Sequence, residues 1–201
     1  MSAQITITIP VWLDLIFATP LLAYRLWKYG YWFRKIFIGE GRFAIVEPRD
    51  YYRLNNFQWY ANGKDNLIYA LRTIISPHKK TKTVRMHREI MNAPDGLLVD
   101  HKNGNPLDNR RSNLRLATHS QNMQNRGKRR CKTSSRFVGV CFDKEYELWR
   151  AYIRYQGKRI YLGRFDSEIK AAMAYDTAAK KYFGEFARLN FPSKAKVSAQ
   201  L

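Results

Sequence analysis

Asp100 and His101 stand side by side where the apolar run Leu97–Val99 gives way to the polar stretch Lys102–Asn105. If that run is a strand, adjacent side chains project to different sides, so a carboxylate and an imidazole can serve different tasks at one place. Hydrolysing a phosphodiester near neutral pH requires a base for water, neutralisation of charge at the phosphate and help for the departing 3′ oxygen. An imidazole can take the proton. A hard divalent cation such as Mg²⁺, held by one or two protein oxygens and retaining several waters, supplies the other two. Asp100 can bind such an ion while His101 faces the water, and Asn122 can offer a second oxygen. A neutral amide there leaves more positive charge on the ion than a second carboxylate would.

These residues need a frame to hold them. Leu97–Val99 reads as a short strand ending at Asp100, Leu114–Ala117 as a second strand, and Thr118 as the N-cap of a helix through about Arg126. Asparagine recurs at 103, 105, 109, 113, 122 and 125, which signals loops with side-chain hydrogen bonding. The unit is two strands and a helix.

The segment His87–Arg126, best in VDHKNGNPLDNRRSNLRLATHSQNMQN, resembles the HNH endonuclease family. It is most similar to the phage and intron-homing type, in which the last metal ligand is Asn instead of His. The resemblance implies a ββα-metal module in which Asp100 and Asn122 bind one divalent ion, Mg²⁺ in the family's usual manner, and His101 is the general base. By the same resemblance Asn113, in Ser-Asn-Leu-Arg, orients or stabilises His101, and His87 matches an upstream histidine that acts as structural support. His119 has no family counterpart and reads as a solvated helix residue; His78, beside Pro77, reads as a loop residue.

Residues 126–136 (RGKRRCKTSSR) are basic and lack apolar periodicity, as expected of a linker that also touches phosphates. Beyond it, Phe137–Cys141, Trp149–Tyr155 and Arg159–Leu162 alternate as three antiparallel strands. Residues 167–183 follow as an amphipathic helix with Ser167 as N-cap and Gly184 as stop. Such a small sheet can lie in a DNA major groove. Arg150, Arg154, Lys158, Arg159 and Arg164 offer contacts to phosphate and guanine, with Trp149 and Tyr161 as aromatic support.

FVGV, WRAYIR, KRIYLGRFD and AAMAYDTAAKKYFGEFARLNFP, spanning about Ser135–Pro192, resemble the AP2 domain of plant ethylene-response transcription factors. Arg154, Arg159 and Tyr161 match positions at which that family contacts DNA. Val138, Cys141 and Asp143 stand where the plant proteins carry arginines, so the plant recognition sequence does not transfer. An HNH centre joined to such a module resembles homing-type endonucleases of phages and mobile elements, where a tethered second site raises affinity through effective concentration.

The remaining chain fits this reading. A net charge of +20 over 201 residues, spread along the whole sequence instead of lodged in one tail, points to a polyanionic partner, here double-stranded DNA. Cys131 and Cys141 form no CxxC pair, so neither zinc nor a disulfide framework is indicated, and a reducing, cytoplasmic setting is expected. Ser2–Tyr24 is largely apolar, and about 20 such residues can span a bilayer. Asp14, Pro10 and Pro20 interrupt it and no basic region precedes it, so a helix packed on the domain core is expected. Tyr24–Phe37 mixes aromatic with basic residues and reads as a half-buried element with snorkelling cations, although a nucleic-acid surface is the other reading. Arg42–Glu47 reads as a strand, Asp50–Phe57 as a helix, and Gln58–Ile74 as two strands around Asn-Gly-Lys-Asp, with Asn62 and Gly63 as the hairpin signal.

The expected class is mixed α+β: residues 1–82 support the core, 83–126 form the nuclease module, 127–135 the linker, 136–192 the DNA-binding module and 193–201 a tail. Two rivals belong to other classes, a non-catalytic DNA-binding regulator and a basic structural RNA-binding protein.

Overall fold

Asp14, the one charge in the apolar N-terminal stretch, is paired. Its carboxylate accepts from Arg34 at 2.8 Å and from the Tyr52 hydroxyl at 2.8 Å. In the computed structural model of the protein, the described residues are 11–64, 67–75, 80–125 and 134–192. The chain divides into two compact units, Met1–Met86 with Pro106–Ser112 and His87–Asn105 with Asn113–Leu201.

The first unit opens with helix α1 (Val11–Tyr29). Ala18 and Leu22 are buried, whereas Phe17, Leu21, Tyr24 and Trp27 are exposed. Among the described residues no helix is long and apolar enough to cross a membrane. The expected half-buried element over Tyr24–Phe37 is not found: of its aromatic residues only Phe33 is buried, while Trp27, Tyr29, Trp32 and Phe37 are exposed. The Arg25 guanidinium lies 4.5 Å from the Phe33 ring centre, and that of Arg34 lies 3.9 Å from Tyr51.

Strands β1 (Arg34–Phe37) and β2 (Phe43–Val46) pair antiparallel, and helix α2 (Pro48–Asn55) follows with Pro at its start. Ile36, Ala44, Val46 and Leu54 form buried core, and the Trp59 indole donates to the Leu54 carbonyl at 2.8 Å. A three-stranded sheet, β3 (Tyr60–Lys64), β4 (Leu67–Ile75) and β5 (Thr81–Arg85), completes this part. The expected pair of strands is present, but Asn62 and Gly63 lie within β3, opposite Tyr69 and Ile68, and not at the turn. Gly63 is required there by close approach: a Cβ would sit 2.0 Å from the Leu67 carbonyl oxygen. Residues 65–66, between the two strands, and His78 lie outside the described residues.

Residues 106–112 complete the first unit. Ile45 and Leu107–Asn109 exchange backbone hydrogen bonds of 2.9 and 2.8 Å, and Arg111 grips the buried Asp50 carboxylate with two N–H groups at 2.8 and 2.9 Å.

The second unit carries two modules. From within α3 (Met86–Met91), Arg88 gathers the carbonyls of Leu97, Ala93 and Pro94, at 2.6, 3.1 and 3.1 Å, and so fixes the approach to the next strand. Strands β6 (Leu98–His101) and β7 (Leu114–Ala117) pair antiparallel, and helix α4 (His119–Gln124) follows. Thr118 caps it by a capping box: its hydroxyl accepts from the Gln121 amide while the Gln121 side chain accepts from the Thr118 N–H. The expected strand–strand–helix unit is therefore present.

Residues 126–133, most of the expected linker, lie outside the described residues. Then β8 (Val140–Asp143), β9 (Leu148–Tyr155) and β10 (Lys158–Phe165) form an antiparallel sheet in the order β10-β9-β8, with α5 (Glu168–Phe183) across one face. Ala151 and Ile153 of β9 meet Ala171, Ala172, Tyr175 and Ala179 of α5 in the core. The first strand begins three residues later than expected because Gly139 turns the chain at φ +73 beneath Tyr175; a Cβ there would lie 2.1 Å from the ring. Burial, and then the neighbouring Asp176, push the Tyr175 phenol up to about 12. Asp176 accepts the backbone N–H groups of Asn190 and Phe191, both at 2.8 Å, which closes the module's C-terminal end.

Candidate active site and nucleic-acid interface

The antiparallel register of β6 and β7 sets Asp100 directly opposite Arg115 and His101 opposite Leu114. Asp100 is buried to 5 % exposure, and its Oδ2 accepts two N–H groups of Arg115, at 2.8 and 2.6 Å. A carboxylate removed from water needs such compensation, since a lone buried charge is costly. The Asn125 amide adds donors at 3.0 Å to Oδ1 and 3.1 Å to Oδ2, and also donates to the His101 carbonyl at 2.8 Å.

His101 is 7 % exposed and His87 6 %, and their rings meet edge to face with centres 5.1 Å apart. Asn113 lies at the end of a single 3-10 turn (Arg111–Asn113) just before β7. Its side chain accepts from the Asn103 N–H at 3.1 Å and donates to the Asn103 side chain at 3.0 Å, while its carbonyl accepts from Lys102 N–H at 2.9 Å. Asn113 thus clamps the loop that leaves His101. Asn122 is half-buried on α4 and carries no side-chain hydrogen bond among the described residues. Asp100, His101, His87, Asn113 and Asn122 all belong to the same unit. His119 is exposed.

Among the described residues no group of three or more His, Cys, Asp and Glu could cage a cation. The donor set is sparser: one buried carboxylate whose Oδ1 accepts from Asn125 among the described residues, and the Asn122 amide on helix α4. Of the four contacts to Asp100, three fall on Oδ2 and one on Oδ1, so with two lone pairs to each oxygen it is Oδ1 that keeps room for a cation. That chemistry fits a hard cation that keeps most of its waters and needs few protein oxygens.

Arg115 and Asn125 were not expected at this centre. The signal for Arg115 was the register: two four-residue strands ending at His101 and starting at Leu114 put it across from Asp100. Asn125 follows Asn122 by three residues, which sets the two on one side of the helix, and Asn125 is the amide that reaches β6.

In the C-terminal module, cross-strand pairs Arg150–Arg164, Tyr152–Tyr161 and Arg154–Arg159 line the sheet face opposite α5. The Arg159 guanidinium lies 4.6 Å from the Tyr152 ring centre, and Arg164 lies 3.8 Å from Tyr146. Asp143 on β8 accepts from Arg164 at 3.2 Å and lies 3.7 Å from Arg150. Burial opposes ionisation of Asp143, but the Arg164 hydrogen bond and the two cations hold its carboxyl below the usual range. Lys158 starts β10 at the exposed end. Trp149 packs on the other face, against the core and edge-on to Phe142 at 5.1 Å.

A family model described as HNH endonuclease matches residues 92–124, and one described as AP2 domain matches 135–185. An uncharacterized HNH endonuclease of Acanthamoeba polyphaga mimivirus is 30% identical over 152 residues, covering 76% of this chain and 76% of that protein. The chain belongs to the HNH endonuclease family. This HNH endonuclease is also 33% identical to Protein 3.8 of Escherichia phage T7 over 112 residues, 53% of the chain and 91% of the phage protein. Its AP2 domain is 42% identical to the ethylene-responsive transcription factor WRI1 of Arabidopsis thaliana over 69 residues, 34% of the chain but only 16% of the plant protein. No solved structure matches it. The fold agrees with both assignments: β6, β7 and α4 lie within or beside the first match, and β8, β9, β10 and α5 form the second.

Proposed function

We propose that this HNH endonuclease hydrolyses phosphodiester bonds of double-stranded DNA with one divalent ion, in the manner of homing-type enzymes. Residues 83–126 do the cutting, 127–135 link, and 136–192 target the DNA. The observation that carries the reading is His101, set beside Asp100 at the end of β6 and braced by His87 and the Asn113-clamped loop.

His101 is the general base. It takes the proton of the attacking water as the water oxygen bonds to phosphorus and the bond from phosphorus to the 3′ oxygen breaks. Asp100 and Asn122 are the residues that would hold Mg²⁺, which when bound supplies charge neutralisation at the scissile phosphate and at the departing oxygen. Asn113 keeps the strand end, and so His101, in place. His87 limits rotation of the His101 ring. On the open face of the sheet Arg150, Arg154, Arg159, Tyr161 and Arg164 face DNA, joined by Lys158 at the strand end, with Trp149 supporting the face from the core side.

Plasmid nicking with Mg²⁺ tests this. Purified protein should convert supercoiled DNA to nicked or linear forms; cleavage no greater than that of His101→Ala, across varied metals, salts and DNAs, would end the enzyme reading.

A further inference from the structure

Two arginines join the AP2 module to the nuclease module, running in opposite directions. Arg115, besides holding Asp100, donates its Nη1 to the Glu185 carbonyl in the single 3-10 turn Gly184–Phe186. Its guanidinium carbon lies 4.0 Å from the centre of the Phe186 ring, which is itself buried. In return Arg188 donates to the Asn103 carbonyl at 3.4 Å, in the loop that follows His101, and packs against Gly104. All of these residues lie in one compact unit.

A guanidinium is a rigid planar fork, so the groups that engage one edge and one face fix the direction of the remaining N–H bonds. For Arg115 the AP2 turn supplies the Glu185 carbonyl and the Phe186 ring, and Nε and Nη2 each donate to Asp100 Oδ2. We propose that Arg115 is a positioning residue shared by the two modules: Glu185 and Phe186 of the AP2 domain set its orientation, and through it the orientation of the Asp100 carboxylate. The DNA-binding domain then forms part of the nuclease centre instead of serving only as a tether. This rests on the reading of Asp100 as a cation ligand. Loss of a partner that orients a ligating carboxylate typically costs about 10–100-fold in metal affinity or activity.

The test uses the full chain and four variants. Phe186→Leu retains apolar volume but removes the ring face; Phe186→Tyr retains it; Arg115→Lys keeps the charge without the fork; Arg188→Gln loosens the return contact. Amide hydrogen exchange without metal reads how firmly the backbone of residues 98–103 is held. Calorimetry with Mn²⁺ alone reads the ligand, and nicking kinetics split kcat from KM.

Phe186→Leu and Arg115→Lys should speed exchange in 98–103 while leaving 168–179 unchanged, weaken Mn²⁺ binding about tenfold and lower kcat about tenfold at unchanged KM for DNA. Arg188→Gln should speed exchange in 102–105, and Phe186→Tyr should restore all readouts. Unchanged exchange and Mn²⁺ affinity in both Phe186→Leu and Arg115→Lys would overturn the proposal, as would a loss confined to KM. A wild-type protein that neither binds Mn²⁺ nor cuts DNA would sink the nuclease reading instead, and the exchange arm would still decide the coupling.

Discussion

The Asn125 side-chain amide donates to both oxygens of the Asp100 carboxylate, at 3.0 and 3.1 Å, and to the His101 carbonyl at 2.8 Å. One residue at the C-cap of α4 therefore ties the helix to both members of the Asp-His pair. Asn125→Ala leaves a buried carboxylate and a buried carbonyl short of a donor, which should cost about 1–3 kcal/mol of stability. Asn125→Asp sets a second carboxylate against Asp100 and should cost more. Urea unfolding followed by far-ultraviolet circular dichroism ranks the two variants; equal stability to wild type in both would contradict this role.

Removing the base should separate chemistry from binding. His101→Ala is expected to lower kcat by about 10²–10⁴ while DNA affinity, measured without divalent metal, stays within about twofold. A proportional loss of DNA affinity would instead mark His101 as a binding residue.

Asp50 sits at 3 % exposure in the first unit between Arg111 and Arg53. Burial alone would raise its carboxyl, but hydrogen bonding and charge from Arg111, then from Arg53, reverse that and hold it below the ordinary value. A depressed folded-state value stabilises the fold above the unfolded carboxyl value of about 3.9, and that contribution is lost as pH falls through the folded value. Stability should therefore hold from neutral pH to about 5 and decline below about 4, with Asp50→Asn flattening the decline. Arg111→Ala should cost about 2 kcal/mol at pH 7, less than a fully buried pair because the Arg111 side chain is 36% exposed. Urea midpoints at pH 7, 5, 4 and 3 check both.

Asp143 holds Arg164 and neighbours Arg150 on the sheet face proposed to meet DNA. Asp143→Asn should free both cations and strengthen DNA binding by a few-fold at low salt, with the gain shrinking as salt rises. Arg154→Ala should weaken binding to all sequences and reduce the salt slope by about one ion. Fluorescence anisotropy across a salt series reads both, and a salt-independent effect would argue against phosphate contact.

Much of this molecule was legible from residue order alone. Apolar alternation located β9 and β10, Ser167 and Thr118 marked helix starts by capping, and the resemblance carried by Asp100, His101, Asn113 and Asn122 pointed to the candidate centre. These are local signals: a cap, a two-residue period and a run of asparagines each act within a few residues. The hairpin at 60–75 was placed at the wrong pair because Asn-Gly is a strong turn signal, while Gly63 serves the close approach of the Leu67 carbonyl. The strand β5 and helix α3 carried no comparable pattern.

Composition and spacing by themselves determined the polyanionic partner, the two-module order and the residue types at the centre, because charge and periodicity are properties of the chain. Only the tertiary structure decided which groups satisfy the buried Asp100. Arg115 reaches it through strand pairing, Asn125 through the angle of a helix against a hairpin, and Glu185 and Phe186 come to Arg115 from a module some 70 residues later. A buried charge takes its partners from whatever donors the packing brings within hydrogen-bond reach, and that choice is written in no local stretch of the chain.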